Sequence, residues 1–392
     1  MPFPLPAQKP QSAHFSSGPT KKCPGWNLSR LDQTHLGRSH RAKGPKASLT
    51  SAIDRMAQLL ALPDDYRLGI VPASDTGAVE MVMWSLFGQR GVDILAWESF
   101  GKTWVNDATA QLQLDDLRLF EADWGALPAL DEVDFDRDVL FTYNGTTSGV
   151  RLPNCDFIPS DRKGLTIADA TSACFAMDMD WNKIDIATFS WQKSLGGEGA
   201  HGVLVLSPRA VERLEGAPAP RALPKIFQLT KKGKLIEGIF RGDTINTPSM
   251  LAVADLHQAL DWAEEIGGLS ALMARSDESL AHVKQWVAQT PWVDFLAQDE
   301  ATISNTSICL QIADPAITSL GQSEKSDFAK QMVTLLGDET VAFDIGAYRT
   351  APAGLRIWAG PTVEPSDIAL LLPWLDWAFA SVKEDFLNKK GA

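Results

Sequence analysis

Lys193 and Asp169 are the residues in this sequence best placed to do chemistry. Lys193 follows the apolar run IDIATFSW (184–191) within TFSWQKSLGGEG, and Asp169 closes the run GLTIA within IADATS, 24 residues earlier. An amine and a carboxylate at adjacent strand ends suit pyridoxal phosphate. The lysine would form an imine with the cofactor aldehyde, and the aspartate would pair with the pyridinium nitrogen, so that the ring draws off electrons. That charge partner matters because burial alone favours the neutral pyridine. A third strand end, VPASDTG, opens the helix GAVEMVMWSL and puts Ser74, Asp75, Thr76 and Gly77 at its N-terminus. Free backbone N–H groups and the helix dipole there favour an anion such as a phosphate. Asp75 is awkward inside an anion cup and is expected to cap the helix with its carboxylate turned away.

Each feature alone has an ordinary explanation. A lone lysine is usually a solvated surface residue, although one placed after a hydrophobic strand and before Gly196-Gly197 is harder to dismiss. Asp169 by itself could close a turn, and many helices begin as Ser74–Gly77 does. The combination, in this order, carries the cofactor reading.

The elements that would position these groups read as strands alternating with helices. Strands are expected at 67–74, 92–99, 138–145, 164–171, 184–191 and 201–208, with helices at 48–60, 77–88 and 102–112. Several of the strands are apolar on both faces, as in a sheet covered by helices on each side. The alternation predicts an α/β domain with a mainly parallel sheet, its ligand groups collected at the carboxyl ends of the strands. A long helix over 249–265 ends at Gly267-Gly268. Strands at 305–312 and 354–360, a helix near 327–336 and an amphipathic packing helix over 368–382 then suggest a smaller α+β domain. The expected divisions are an irregular N-terminal arm (1–25), a large domain (26–260) and a small domain (261–392).

Composition narrows the partners. The formal net charge of −13 over 392 residues disfavours broad nucleic-acid or anionic-membrane binding, so any anionic ligand needs a local cluster of cations. No apolar run approaches a membrane span, and the proline-rich start MPFPLPAQKP lacks the pattern of a signal peptide. Cys23, Cys155, Cys174 and Cys309 form no CxxC pair, no metal site is expected, and the cytoplasm is the expected compartment.

Over most of its length the sequence resembles the phosphoserine aminotransferases, class V members of the fold type I pyridoxal-phosphate enzymes. HFSSGPTK (14–21) is similar to the family's FSSGP opening and SHR (39–41) to its substrate-phosphate motif. NGTTSG (144–149), DATS, SWQK and INTPS (245–249) are similar to its cofactor segments. The resemblance implies the fold type I architecture, a large domain with a seven-stranded-type sheet plus a smaller C-terminal domain. It implies Lys193 as the Schiff-base lysine, Asp169 as the pyridinium partner and Thr146 on the phenolic side of the ring. Phe100, in preference to Trp104, would stack on the ring, and Thr76, Gly77 and Gln192 would hold the cofactor phosphate. Asn246 and Thr247 would complete that phosphate site across a homodimer interface. His40, Arg41 and Arg349 would hold the substrate phosphate, and Arg356 its α-carboxylate. Arg349 and Arg356 stand seven apart in AYRTAPAGLR, with Tyr348 where a histidine is common.

The implied reaction moves an amino group from L-glutamate to 3-phosphohydroxypyruvate, giving O-phospho-L-serine and 2-oxoglutarate. This would serve serine synthesis and possibly act on 4-phosphohydroxy-L-threonine in pyridoxine synthesis. The nearest alternative is a serine–glyoxylate or alanine–glyoxylate aminotransferase, which needs no substrate-phosphate site. A cysteine desulfurase needs a reactive cysteine on a mobile loop, whereas Cys309 lies in TSICLQI, which reads as a buried strand. A Rossmann dehydrogenase is disfavoured because no G-x-G-x-x-G follows the first expected strand.

Overall fold

The central strands are buried at every position, their side chains alternating between two faces, and that alternation organises the molecule. In a computed structural model describing residues 4–391, Val203 and Val205 face one hydrophobic cluster while Leu204 and Leu206 face another. A strand covered on both sides must be apolar at every position. The chain runs α1 (Lys43–Leu59), β1 (Arg67–Pro72), α2 (Ser74–Leu86), β2 (Val92–Ala96), α3 (Ser99–Asn106), β3 (Leu117–Glu121) and β4 (Asp138–Thr142). A two-residue hairpin follows, β5 (Asn144–Gly145) with β6 (Val150–Arg151), then β7 (Thr166–Asp169), β8 (Ile186–Phe189) and β9 (His201–Leu206). The large sheet has the order β1-β9-β8-β7-β4-β2-β3. Only β9 runs against the others in it, pairing antiparallel with both β1 and β8. The expected mainly parallel α/β sheet is therefore present.

After α4 (Pro208–Gly216) and a second short hairpin, β10 (Thr230–Lys231) with β11 (Lys234–Leu235), the long α5 (Met250–Glu265) begins. Ser249 caps it by accepting from the Ala252 N–H. Residue 260, the expected domain boundary, lies inside α5, and the first break beyond it is the positive-φ pair Gly267-Gly268. α6 (Leu269–Val287) follows, a helix the sequence reading passed over because its exposed face is densely polar. The remaining elements are β12 (Val293–Phe295), β13 (Ser307–Ile312), the single turn α7 (Pro315–Thr318), α8 (Gln322–Asp338), β14 (Gly354–Trp358) and α9 (Pro365–Gly391). Strands β12, β13 and β14 form a small antiparallel sheet. Edge strand β3 was also unread, since its half-exposed LRLFE lacks a continuous apolar run. The helix expected over 102–112 starts at Ser99 and widens into a π-helical stretch over Asp107–Gln111.

The irregular N-terminal segment runs from the C-terminal elements to the lysine. Trp374 Nε1 donates to the Gln8 carbonyl at 2.8 Å, the Phe343 N–H to Ala13 at 2.8 Å and the Trp358 N–H to Phe15 at 2.9 Å. The Thr20 N–H then donates to Gln192 at 3.0 Å, and Thr20 Oγ1 to the Lys193 carbonyl at 2.6 Å. Phe15 is completely buried and anchors this path. Phe15→Ala should lower stability by roughly 3–5 kcal/mol, the range for emptying a buried phenylalanine site. A urea midpoint unchanged from wild type would show that the segment is not packed.

Candidate active site

The carboxyl ends of β1, β2, β4, β7 and β8 open toward one edge of the large sheet, and several of the expected residues, Lys193 and Asp169 first, collect there. Lys193 leaves the turn after β8. Its side chain is buried, with Nζ donating to the carbonyl of Ser17 and lying 5.9 Å from the centre of the Trp358 ring. Burial, with help from the Arg356 charge, lowers its pKa to about 8, against the pull of Asp169, Glu98 and Asp75. The turn is held by Gly196 at φ +64°, where any Cβ would stand 2.3 Å from the Lys21 carbonyl oxygen.

Asp169 ends β7 with both oxygens in use, accepting from Trp104 Nε1 at 3.1 Å and from the Thr171 N–H at 3.2 Å. Trp104 is thus spent on the aspartate, while the half-buried Phe100 remains at the mouth of the cleft with its ring 5.7 Å from that of Tyr348. Thr146 is buried and donates to Ser172 Oγ at 2.8 Å. Gln192 bonds Ser190 through its side chain. Beside it Trp191 stacks on His201 at 4.9 Å, and burial pushes that imidazole down to about 4, so it is neutral at physiological pH.

The start of α2 corrects one expectation. Ala73 and Ser74 both take positive φ, +67° and +54°, so the helix is entered through two strained residues. The N–H groups of Asp75 and Thr76 have no partner among the described residues, whereas that of Gly77 is used by the Ala73 carbonyl at 2.9 Å. Gly77 is required by close approach, since a Cβ would lie 2.3 Å from the Pro72 oxygen. Asp75 does not turn away as a cap. It is buried facing Asp169, Thr171 and Thr188, and Oδ1 has no hydrogen bond. The turn into α2 rotates Asp75, its second residue, inward, and the cap position is held by Ala73, which has no side-chain acceptor.

Of the expected anion ligands, the two C-terminal arginines share a neighbourhood. The guanidinium of Arg349 lies 5.7 Å and that of Arg356 5.5 Å from the Tyr348 ring centre. Arg356 is partly buried with Nε unpartnered, while Arg349 is exposed. His40 is buried with Nε2 unpartnered, and burial followed by Arg41 lowers its pKa. No contact links His40, Arg41, Asn246 or Thr247 to Lys193 among the described residues, and the last three are exposed. These segments do adjoin one another: Lys46 pairs with Asp243 at 2.5 Å, and Thr50 Oγ1 donates to the Arg241 carbonyl at 3.0 Å.

Two features escaped the sequence reading. Ser17 lies in the FSSGP segment, but only the folded chain brings its carbonyl to the lysine. Glu98 ends the run VDILAW, the same strand-end signal that singled out Asp169, and is completely buried. Cys309, by contrast, sits in β13 as expected, its thiol pushed up to about 12 by burial and so unreactive.

The fold and site now in view can be set beside known proteins. Residues 134–326 match the family model described as aminotransferase class-V. The phosphoserine aminotransferase of Methanosarcina mazei is 53% identical over 378 residues, covering 96% of this chain and all of the relative. That of Methanosarcina barkeri is 52% identical over the same share. This chain belongs to the phosphoserine aminotransferase family. The family's architecture is also seen in the crystal structure of a phosphoserine aminotransferase from Cytophaga hutchinsonii, which aligns with a TM-score of 0.78 at 22% identity, over 93% of this chain and 98% of the other. The pyridoxal-phosphate-bound phosphoserine aminotransferase of Trichomonas vaginalis aligns with a TM-score of 0.74 at 16% identity, over 93% and 100%.

The family's cofactor fits this cleft. Asp75 Oδ1, Thr142 Oγ1, Thr171 Oγ1, Thr188 Oγ1 and Arg356 Nε are all buried without a hydrogen bond, which a polar ligand would relieve. Burial and the Asp169 charge raise the pKa of Asp75 well above the ordinary carboxylate value. The folded chain therefore holds a proton that the unfolded chain releases, and stability falls as pH rises past that ordinary value. Asp75→Asn, which cannot ionise, should gain on wild type as pH rises from about 4, the ordinary carboxylate value, toward neutrality. Cofactor-free protein melted across that range tests this; parallel curves would place Asp75 in a solvated setting.

Proposed function

We propose that this protein is a phosphoserine aminotransferase, exchanging an amino group between L-glutamate and 3-phosphohydroxypyruvate to form O-phospho-L-serine in serine synthesis. The observation that carries this reading is the buried amine of Lys193, with a pKa of about 8, in one cleft with Asp169 and the Arg349–Arg356 pair. When bound, pyridoxal phosphate supplies an aldehyde that takes up the amino group and a protonated ring that draws electrons from the substrate Cα. Lys193 holds the aldehyde carbon and, once displaced, its Nζ moves the proton at Cα; a pKa near neutrality suits an amine to that task. Asp169 holds the proton on the ring nitrogen. The free N–H groups of Asp75 and Thr76, with Gln192, receive the cofactor phosphate, Thr146 meets the phenolic side, and Phe100 covers the ring.

Arg356 takes the substrate α-carboxylate and Arg349 the distal anion, each as a planar fork of donors. Asn246, Thr247 and Arg41 are exposed, and the helix that follows Arg41 is tied to the segment before Asn246 by the Lys46–Asp243 pair. In a homodimer these segments would reach the partner subunit's cleft, with Asn246 and Thr247 on the cofactor phosphate and His40 with Arg41 on the substrate phosphate. The cytoplasm is the compartment this reading assigns; it is supported by four buried, unpaired cysteines and by the absence, among the described residues, of any helix long and apolar enough to cross a membrane.

Lys193→Ala should abolish the visible absorption of covalently held cofactor, and its persistence would sink the lysine assignment. Arg41→Ala should raise KM for O-phospho-L-serine by about 100-fold, the loss of a charge-assisted contact of roughly 2–3 kcal/mol, and leave the glutamate half-reaction less affected. Phosphoserine turnover left intact by Arg41→Ala would favour a glyoxylate aminotransferase, which has no substrate phosphate to bind.

A further inference from the structure

Glu98 takes no part in the scheme above, yet three donors converge on its buried carboxylate. Oε1 accepts from the Gly101 N–H at 2.6 Å, and Oε2 accepts from Thr147 Oγ1 at 2.7 Å and the Thr147 N–H at 3.4 Å. Glu98 is thereby the N-cap of α3, which carries Phe100 and Trp104. Thr147 is the neighbour of Thr146, and its Oγ1 also accepts from the Ser99 N–H at 3.0 Å. The loop is pressed onto the acid: a Cβ on Gly145 would lie 2.9 Å from Glu98 Cγ. From Ser99 the chain of contacts continues outward, since Ser99 Oγ bonds Thr350 Oγ1 at 2.6 Å, next to Arg349, while Phe100 packs against Tyr348.

We propose that Glu98 is a positioning residue of this site: its carboxylate clamps the Thr146–Thr147 loop to the first turn of α3 and, through Ser99, sets the loop that carries Arg349. The proposal rests on the pyridoxal-phosphate reading above. Only the ionised carboxylate can accept from all three donors, because protonation turns one oxygen into a donor facing other donors. Burial pushes Glu98 up to about 7, with the Thr147 hydroxyl and Gly101 N–H holding it down and the Asp169 charge adding to the rise. The ionisable groups that feel it from other elements are Asp169 at the end of β7, Lys193 after β8, Cys309 on β13 and Arg356 on β14. The clamp is therefore closed above about pH 7 and loosened below it.

The experiment measures two affinities across about pH 6 to about pH 8.5: that of the cofactor-free protein for pyridoxal phosphate, from its visible absorption, and that of the loaded enzyme for O-phospho-L-serine, from the change in that band. In wild type both should weaken about tenfold on the acid side of a midpoint near 7, the worth of roughly one hydrogen bond. Glu98→Gln should bind at the weaker level throughout and lose that midpoint. Thr147→Val removes a donor that lowers the Glu98 pKa, so its midpoint should move to higher pH; it also serves if Glu98→Gln does not fold. An unmoved midpoint in Thr147→Val, or a wild-type pH dependence in Glu98→Gln, overturns the clamp. A wild-type protein that takes up no pyridoxal phosphate overturns the reading beneath it instead.

Discussion

An amine held out of water costs free energy in its charged form, and the surroundings of Lys193 are arranged around that cost. Burial and Arg356 bring the lysine to about 8, where roughly a fifth of the amine is free near about pH 7.4, far more than for an ordinary lysine. Nothing in a β-strand end alone would bury it. The roof is the N-terminal segment, whose Ser17 carbonyl takes the amine, and the wall is Trp358 from the small sheet. The enclosure therefore needs chain from both ends of the sequence, which explains why Phe15 is packed as tightly as any core residue of the large sheet.

Acids at the two edges of that sheet show how pairing decides role. At the edge away from the cleft, Asp93 meets Arg118 and Arg137, Asp138 meets Arg213, and Asp185 meets Arg162 and Arg209. These buried carboxylates are neutralised by fixed guanidinium partners and tie strand starts to neighbouring elements. At the cleft edge, Asp75, Glu98 and Asp169 have no such partners. Two of the three are pushed upward by burial, so the cleft does not carry three full negative charges near neutrality. On the proposed reading, a cationic ring beside Asp169 and an anionic phosphate at the start of α2 would complete its charge state.

Much of this was legible in the sequence because it depends on local pattern. Uninterrupted apolar runs announced the covered strands, and residues just past those runs fell at the carboxyl edge, as parallel topology requires. Lys193, Asp169, Thr146 and Arg356 were found in that way or by motif. What was not legible depended on contacts far apart in sequence or on backbone geometry. Glu98 and Thr147 are 49 positions apart, and Ser17 and Lys193 are 176 apart. The inward turn of Asp75 follows from the left-handed Ala73 and Ser74, residue types that give no hint of positive φ. Helix α6 and strand β3 were missed for the opposite reason, since their exposed faces dilute the apolar period that marks an element.

The Tyr348 ring bears on which substrate the cleft prefers. Two guanidinium groups within 6 Å of one ring repel each other, and the aromatic face offsets part of that repulsion without neutralising it. A substrate with one carboxylate would satisfy the partly buried Arg356 and leave Arg349 with solvent. A substrate with a second anion at the far end would engage both and relieve the remaining repulsion, so its binding gains from both charges. Glutamate and phosphoserine each have two anionic ends and alanine has one. With Arg349 and Arg356 in their proposed roles, the arginine pair would select for charge number before chemical identity. Discrimination between a distal carboxylate and a distal phosphate must come from additional donors, and in the proposed homodimer the exposed Arg41 beside the buried His40 would supply candidates.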